Sequence, residues 1–467
     1  MGDEKMATIS ARKRIWGWMM FDWATQPFYT VLLTFIFGPY FGLVMAEHFA
    51  GQGLEQQAAE ARAQSSWATM LTITGLFIAF TAPVLGAIAD TRDRRIPWMV
   101  LFSLVYIAGT YTLWHMVPDG SAMMLTLIAF GIAMVSAEYM LVFINSMLPT
   151  LSKWEDIGEH SGNGFALGYA GGVLALLLVL VLFAEQGNGK TLIGLDPVLG
   201  LDAAAREGTR AVGPITMVWF VIFMIPFFLW VRDPVRPNIT GSVGDALRQL
   251  GRSIAGVTKK PSLFAYLGSS MFYRDALNAI YGFGGFYAGF VLQWEITLIG
   301  IFGIVGAVSA ALFSWLGGKM DRRFGPKPVI VVNAWILIVV CIVILNMTRE
   351  SFFGIALAEG SGLPDAMMFI LGAAIGGAGG SIQGASRTMM ARHADPERPT
   401  EAFGLYAFSG KATAFLAPAL IAAFTTITQN ARLGLAPVVV LFIIALVLLR
   451  WVDPEGSGNR RWSGHSG

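Results

Sequence analysis

The sequence has little charge for its length. Only 13% of its 467 residues are Asp, Glu, Lys or Arg, about half of the roughly 25% that soluble proteins carry. With 55% hydrophobic residues, this composition predicts a polytopic membrane protein in a lipid bilayer. The single cysteine, Cys341, excludes a disulfide framework and leaves the redox compartment open. The net charge of +2 indicates no nucleic-acid partner and no acidic one.

Motifs of enzymes and ATP-driven pumps are also lacking. The stretch "GNGKT" approaches a phosphate-binding loop, but Ala184 occupies the position of the first glycine. The sequence has no cluster of metal ligands, no nucleophile beside a base and no extramembrane domain. We therefore expect no enzymatic activity, no cofactor and no metal. Because no histidine lies deep in an apolar run, any proton relay is expected to use carboxylates.

Long apolar runs dominate the chain. A run of roughly 20 apolar residues spans a bilayer core of about 30 Å. Twelve runs meet that length: 16–46, 66–89, 96–117, 121–149, 162–184, 213–231, 261–290, 296–318, 327–347, 363–391, 401–428 and 434–451. The basic start "MGDEKMATISARKR" precedes a run too long for a signal peptide, so the run is predicted to be a retained first helix.

The positive charges lie mainly on one side of the predicted spans. Of the 32 lysines and arginines, 24 fall on the side of the termini and 6 on the opposite side. Cytoplasmic loops carry such an excess of positive charge. Both termini and the central loop are therefore predicted to be cytoplasmic.

The two halves of the chain repeat one another. The loops "GAIADTRDRR" (86–95) and "GGKMDRRFGPK" (317–327) place Gly86 and Gly317 231 residues apart, and Asp90 and Asp321 at the same offset. Helices 1 and 7 also align, at an offset of 252. Parallel repeats are typical of transporters whose halves rock around a central site. The predicted fold is all-α, with six-helix bundles at 1–231 and 261–467 and a linker at 232–260.

These loop motifs resemble those of the major facilitator superfamily. Further stretches resemble its vacuole-effluxer-like branch, whose eukaryotic member is an autophagy-related amino-acid effluxer: "DWA", "FINSMLP", "SGNGFALGYAGG", "FYRDALNAI" and "GSIQGASRTMMARHADPERPTEAFGLYAFSGKATAFLAP". The resemblance covers almost the whole chain. It implies a major facilitator fold, a central cavity lined by helices 1 and 7, and a bacterial inner-membrane location. Thr91, Asp93 and the extra Arg323 depart from the loop motifs of the superfamily.

Polar residues at membrane depth are the candidate solute ligands, because each charge there costs about 2.5–3.5 kcal/mol. Six of them occupy one face of helix 1 and one face of helix 7 at i, i+4 and i+7: Asp22, Gln26, Tyr29, Arg274, Asn278 and Tyr281. We predict that the two faces line one cavity with opposite charges, which suits a zwitterion such as an amino acid. The alternative is that each charge pairs with a neighbour and never touches the solute.

Three further buried charges are candidates for proton coupling or binding. Glu138 in helix 4, together with Asp22 and Asp275, is predicted to carry the coupling proton. Lys411 in helix 11 is predicted to hold an anionic group of the solute. Neutralisation of Glu138 by Lys411 remains an alternative.

A second group of charges near the helix ends is predicted to form a cytoplasmic gate. Its members are Asp90, Arg92, Arg95, Asp321, Arg322 and Arg387. A carboxylate at such a turn can cap the start of a helix from the other half. The alternatives are that the basic residues only set topology, and that Arg387 snorkels to the interface.

Two weaker patterns complete the prediction. Glycines recur every four residues in helices 5 and 10, which favours close helix packing. In the linker, Val243, Leu247, Leu250 and Ile254 share one face of a predicted surface helix.

The predicted function is secondary active transport of a small polar or zwitterionic solute, driven by a proton gradient, with amino-acid efflux favoured and a monomer expected. The alternatives are an exporter of amphipathic drugs, with aromatic residues such as Phe21 and Tyr287 lining its site, or an importer of peptides or sugars. A membrane scaffold or sensor that does not transport is a third alternative.

Overall fold

The computed structural model describes residues 9–91, 94–233, 242–430 and 432–456. Their α-helices are α1 (Ala11–Pro27), α2 (Phe37–Gly51), α3 (Gln56–Asp90), α4 (Ile96–Thr112), α5 (Met123–Leu151), α6 (Ile157–Leu182), α7 (Glu207–Arg210), α8 (Val212–Trp230), α9 (Val243–Val257), α10 (Pro261–Phe290), α11 (Ile296–Phe324), α12 (Pro326–Leu345), α13 (Leu363–His393), α14 (Pro399–Ala412), α15 (Leu416–Thr428) and α16 (Ala436–Leu449). An antiparallel hairpin of β1 (Ser351–Phe352) and β2 (Ile355–Ala356) pairs Phe352 with Ile355.

All twelve predicted spans are helical. In the described ranges, ten helical segments are long and apolar enough to cross a membrane. The seventh predicted span is α10, which has 30 residues but carries Arg274 and Asp275 at its centre. The twelfth is the shorter apolar segment Leu433–Leu449.

Two of the spans are interrupted. The first changes at Pro27 from α1 to a π-helix, Phe28–Phe35, before α2 begins. Proline has no N–H to donate to the carbonyl four residues earlier, which is Trp23. That carbonyl instead accepts a hydrogen bond from the indole N–H of Trp219, at 3.1 Å. The eleventh span breaks between α14 and α15, with Pro418 in the first turn of α15, where a missing N–H costs nothing.

The described helices fall into two compact units. Unit one comprises Met1–Ile78, Asp93–Ile144 and Leu167–Arg236, and unit two comprises Ala79–Arg92, Asn145–Ala166 and Pro237–Gly467. In unit one, α8 packs against α1 and α4. In unit two, α13 packs against α11 and α12, and α10 packs against α16.

The glycines of α13 allow its close approach to α11. A Cβ atom on Gly376 would overlap the carbonyl group of Gly306, and one on Gly380 would lie 2.7 Å from the carbonyl oxygen of Ala310. Small residues at this spacing let two helix backbones touch. The predicted packing role of this glycine stripe is confirmed.

Candidate solute and gating sites

In unit one, the polar face of α1 meets α5. The Tyr29 hydroxyl donates a hydrogen bond to Oε1 of Glu138 at 3.3 Å, and both side chains are half-buried. Asp22 is 8% exposed, and Gln26 is half-buried one turn further on. The structure therefore joins a predicted solute ligand, Tyr29, to a predicted proton carrier, Glu138.

The same face of α1 is held by glycines of α6. A Cβ on Gly168 would lie 3.2 Å from the backbone oxygen of Asp22, and one on Gly172 would lie 2.8 Å from Cγ of Gln26. The contact at Gly172 leaves no room for a side chain, and the one at Gly168 is tighter than ordinary van der Waals contact. The backbone of α6 thus fixes the height and rotation of the two polar residues.

In unit two, Arg274 of α10 lies against α14. Its Nη1 donates to the carbonyl oxygen of Tyr406 at 3.0 Å, and its guanidinium lies 4.2 Å from the centre of the Tyr406 ring. A side chain at Gly410 would overlap that guanidinium. The cation–π contact and the small residue at 410 together fix the direction of the Arg274 side chain.

Asp275 caps a helix within the membrane span. It is 1% exposed, and its Oδ2 accepts the backbone N–H of Ala417, in the first turn of α15, at 2.8 Å. A carboxylate at this position compensates the partial positive charge of a helix start. Asp275 was predicted to carry a proton, and the structure adds this capping contact. Lys411 lies half-buried in the last turn of α14.

The other predicted ligands of α10 point in different directions. Asn278 and Tyr281 are exposed, and the Tyr281 hydroxyl occupies the space that a side chain at Gly379 would fill. That Asp22 and Arg274 face a common cavity stays a prediction. Phe21 and Tyr287 are fully buried, and the Tyr287 hydroxyl donates to the carbonyl of Met347 at 2.5 Å. Their burial argues against an aromatic site built from these two rings.

Asp90, the last residue of α3, caps the start of α14. Its Oδ1 accepts the N–H of Thr400 at 3.3 Å, and its Oδ2 accepts the N–H of Glu401 at 2.7 Å. The carboxylate is buried, so both hydrogen bonds are shielded from water. The contact has the form predicted for the gate, whereas a role of Asp90 in gating stays a prediction.

Glycines bring α3 and α14 into backbone contact beside this cap. A Cβ on Gly86 would lie 2.5 Å from the carbonyl oxygen of Thr400, and one on Gly404 would lie 2.7 Å from that of Ala82. Glycine at the start of the loop motif is therefore required by the approach of α14, one turn before Asp90.

Asp321 of α11 is the counterpart of Asp90 in the repeat, and its side chain lies against the first turn of α6. A Cβ on Gly158 would overlap its carboxyl group, and Gly162 and Gly318 pack backbone to backbone. Asp321 is buried, and within the described residues its carboxylate accepts no backbone N–H; its neighbours are the Thr388 hydroxyl and Arg392. The two repeated aspartates thus occupy equivalent places with unequal contacts.

Two arginines make further contacts with α6 and the turn before it. Arg322 is exposed and forms salt bridges with Asp156 at 3.1 Å and with Glu159 at 2.5 Å. Arg387 is 2% exposed, and it donates to the carbonyl oxygen of Ser161 at 2.7 Å and to its hydroxyl at 2.9 Å. The idea that Arg387 snorkels to the interface is wrong, because its guanidinium is held by the first turns of α6.

The remaining gate residues are less informative. Arg95 is buried in unit one, where its backbone N–H donates to Asp233 at 2.9 Å. Asp233 also accepts the N–H of Ile96 at 3.0 Å, and so caps α4. Arg92 lies outside the described residues.

A family model described as "Vacuole effluxer Atg22 like" matches residues 10–460. The chain belongs to this Atg22-like family. Similar proteins include the "uncharacterized MFS-type transporter YxiO" of Bacillus subtilis, which is 25% identical over 94% of this chain and 95% of its own. Autophagy-related protein 22 of Cryptococcus neoformans is 23% identical over 63% of this chain. The match spans only about half of that fungal relative, 52% of its length.

A solved structure agrees with the fold of this Atg22-like protein. The Escherichia coli fucose:proton symporter FucP has a TM-score of 0.66 and 13% identity, and the match covers 94% of this chain and 98% of FucP. FucP is a major facilitator superfamily transporter. The family match and this fold together show that the Atg22-like chain is a multi-pass membrane transporter with the major facilitator fold, twelve transmembrane helices in two six-helix bundles.

Several contacts of the Atg22-like protein have no clear signal in the sequence. The amides of Thr400 and Glu401, the backbone of Ser161 and the first turn of α15 are all partners of predicted charges. A backbone group carries no residue-type signature. Two prolines mark helix starts among them: Pro399 at the first position of α14 and Pro418 in the first turn of α15.

Proposed function

We propose that this protein exports a small zwitterionic amino acid across the bacterial inner membrane by alternating access, driven by the proton gradient. It acts as a monomer, with the start of α1 on the cytoplasmic side. The observation that carries the proposal is that the acidic candidates Asp22 and Glu138 belong to unit one, whereas the basic candidates Arg274 and Lys411 belong to unit two.

Each unit supplies two of these four charges, and the fifth candidate, Asp275 of unit two, is engaged in capping α15. Asp22 and Glu138 lie on α1 and α5, whereas Arg274 and Lys411 lie on α10 and α14. In the proposed cycle, the ammonium group of the solute contacts the carboxylates and its carboxylate contacts the cations. Such a solute brings both charges of its own, so it would satisfy both sets of charges in the proposed cycle.

The Tyr29–Glu138 hydrogen bond supports Glu138 as the proton carrier. Tyr29 donates to the ionised carboxylate, so protonation of Glu138 would weaken this contact. Tyr29 lies on the same face of α1 as Asp22 and Gln26. Protonation of Glu138 would therefore change the hydrogen bonding at the proposed solute site. Proton binding and solute binding are thereby coupled through one hydroxyl.

The solute assignment is tested by exchange of labelled neutral amino acids in proteoliposomes without a proton gradient. Arg274→Gln should abolish exchange, because it removes the guanidinium held by Tyr406. Arg323→Gln, an exposed site, is the matched control and should retain it. If wild-type protein exchanges no neutral amino acid, the amino-acid assignment is wrong.

Proton coupling is tested separately. Glu138→Gln should keep exchange but lose accumulation driven by a pH gradient, because the amide cannot carry a proton. Glu359→Gln, which changes an exposed carboxylate, should keep both. If Glu138→Gln still accumulates solute, Glu138 does not carry the coupling proton.

A further inference from the structure

A cavity of about 300 Å³ lies in unit two, and its lining includes none of the proposed solute residues. It is enclosed by α9, the start of α10, the end of α13 and the start of α14. One part of its lining is apolar and the other carries cations. The cations are Arg252, Lys260 and Arg398, and the apolar side chains include Leu263, Leu267, Met390 and Leu405.

The acidic groups of this lining are already engaged. Glu401 is buried and lies 3.8 Å from Arg398, which also donates to the hydroxyl of Ser253 at 3.1 Å. Asp395 accepts the N–H of Glu397 within its own turn, at 3.0 Å. The carboxylates of the lining are therefore turned to protein partners.

Arg252 and Lys260 differ from Arg398. Both are exposed, and within the described ranges neither side chain makes an ion pair or a hydrogen bond. They lie beside the apolar floor formed by α10 and α13. A ligand that satisfies this lining has an anionic group next to an apolar body.

The outer face of α9 indicates where such a ligand comes from. Ala246 and Leu250 pack on Ala87, but Val243 and Leu247 are 51% and 45% exposed. Ile254 on the same face is 52% exposed. A helix with one apolar edge on its own protein and another apolar edge exposed is typical of the membrane interface. We therefore expect bilayer lipids to lie next to the cavity.

We propose that this cavity binds the head group of an anionic phospholipid, with Arg252 and Lys260 contacting the phosphate. Arg398 and Glu401 form one wall, and the N–H of Glu401 is the one that Asp90 accepts. An occupied cavity thus stabilises the turn that holds α3 to α14. The lipid acts on the gate contact without touching the solute residues.

Three double variants test the site in the full-length protein. Arg252→Gln with Lys260→Gln removes the two free cations of the cavity. Arg248→Gln with Lys259→Gln removes two exposed cations from the same region outside the lining, so the change in net charge is the same. Arg252→Lys with Lys260→Arg keeps both charges and should behave as wild type.

The readouts are the melting temperature and hydrogen exchange of the peptide 396–405, with phosphatidylglycerol or phosphatidylcholine added to the detergent-solubilised protein. Phosphatidylglycerol should raise the melting temperature and slow exchange several-fold in wild type and in the 248/259 variant, but not in the 252/260 variant. Equal loss in the two glutamine double variants, or an equal effect of phosphatidylcholine, would overturn the proposal.

Soluble anions distinguish the source of the phosphate. Inorganic phosphate and glycerol 3-phosphate lack the apolar body and should leave exchange unchanged. If either protects the peptide as well as phosphatidylglycerol does, the site is one for a soluble phosphate, and the lipid assignment is wrong.

Discussion

Asp90→Asn is the sharpest test of how α3 holds α14. The wild-type carboxylate accepts two backbone N–H groups, from Thr400 at 3.3 Å and from Glu401 at 2.7 Å. Asparagine keeps one accepting oxygen, and its amide NH₂ faces the other N–H. One hydrogen bond and the negative charge at the helix start are lost, while the side-chain volume is nearly conserved.

The expected magnitude follows from these two losses. A hydrogen bond to a charged group contributes about 1.5–3 kcal/mol, more than one between neutral groups. Since 1.4 kcal/mol corresponds to a factor of about ten, opening of the first turn of α14 should become roughly ten- to hundredfold more frequent. Hydrogen exchange of Thr400 and Glu401, followed by mass spectrometry, measures that opening directly.

Asp321→Asn is the matched comparison, because Asp321 occupies the equivalent place in the repeat. Within the described residues its carboxylate accepts no backbone N–H, so the amide breaks no helix cap. Exchange at the first turn of α6 should stay within a few-fold of wild type. Equal acceleration in the two variants would refute the reasoning, because the cap at Asp90 would then contribute nothing specific.

Two further predictions concern packing and pH. Gly404→Ala should lower the free energy of unfolding by about 1–3 kcal/mol, and with it the melting temperature, because its Cβ would lie 2.7 Å from the carbonyl of Ala82. Gly251→Ala, with open space around it, should raise stability instead, and destabilisation by both would contradict this account. Hydrogen bonds from Ser242 hold the pKa of Asp245 below its usual value. The α9 cap therefore contributes its full stability at a pH above the ordinary carboxylate pKa. This stability is lost as the pH falls through the lowered pKa of Asp245. Exchange in the first turn of α9, corrected for its intrinsic pH dependence, should show this loss in wild type and not in Ser242→Ala.

The architecture was predictable because lipid imposes it on the sequence. Each span needs a long apolar run, and the repeated loop motifs place the halves in register. Periodicity also identifies which residues share a helix face, as for Asp22, Gln26 and Tyr29. These properties depend only on residues close together in the chain or on a regular offset.

The partners of the buried charges were not predictable in the same way. Arg387 was expected near the interface, but its partner is the backbone of Ser161 in a different helix. Asp275 caps α15 by accepting the backbone N–H of Ala417, and the sequence carries no side-chain pattern that predicts this contact. The linker helix shows a similar limit: Leu250 is buried, whereas Val243 on the same predicted face is exposed. Tertiary approach, which sequence spacing does not encode, decides each of these contacts.

The glycine junctions beside Asp90 and Asp321 have a consequence for the energy of separating them. At Gly86, Gly162 and Gly404 the helices meet through peptide groups, with no side chain between them. When two such helices separate, the side-chain conformational entropy changes little, because few side chains lie between them. The separation exposes carbonyl oxygens, which water hydrates readily. A helix contact made of leucine side chains would resist hydration, whereas the contact between α3 and α14 can be rehydrated once the hydrogen bonds to Asp90 open.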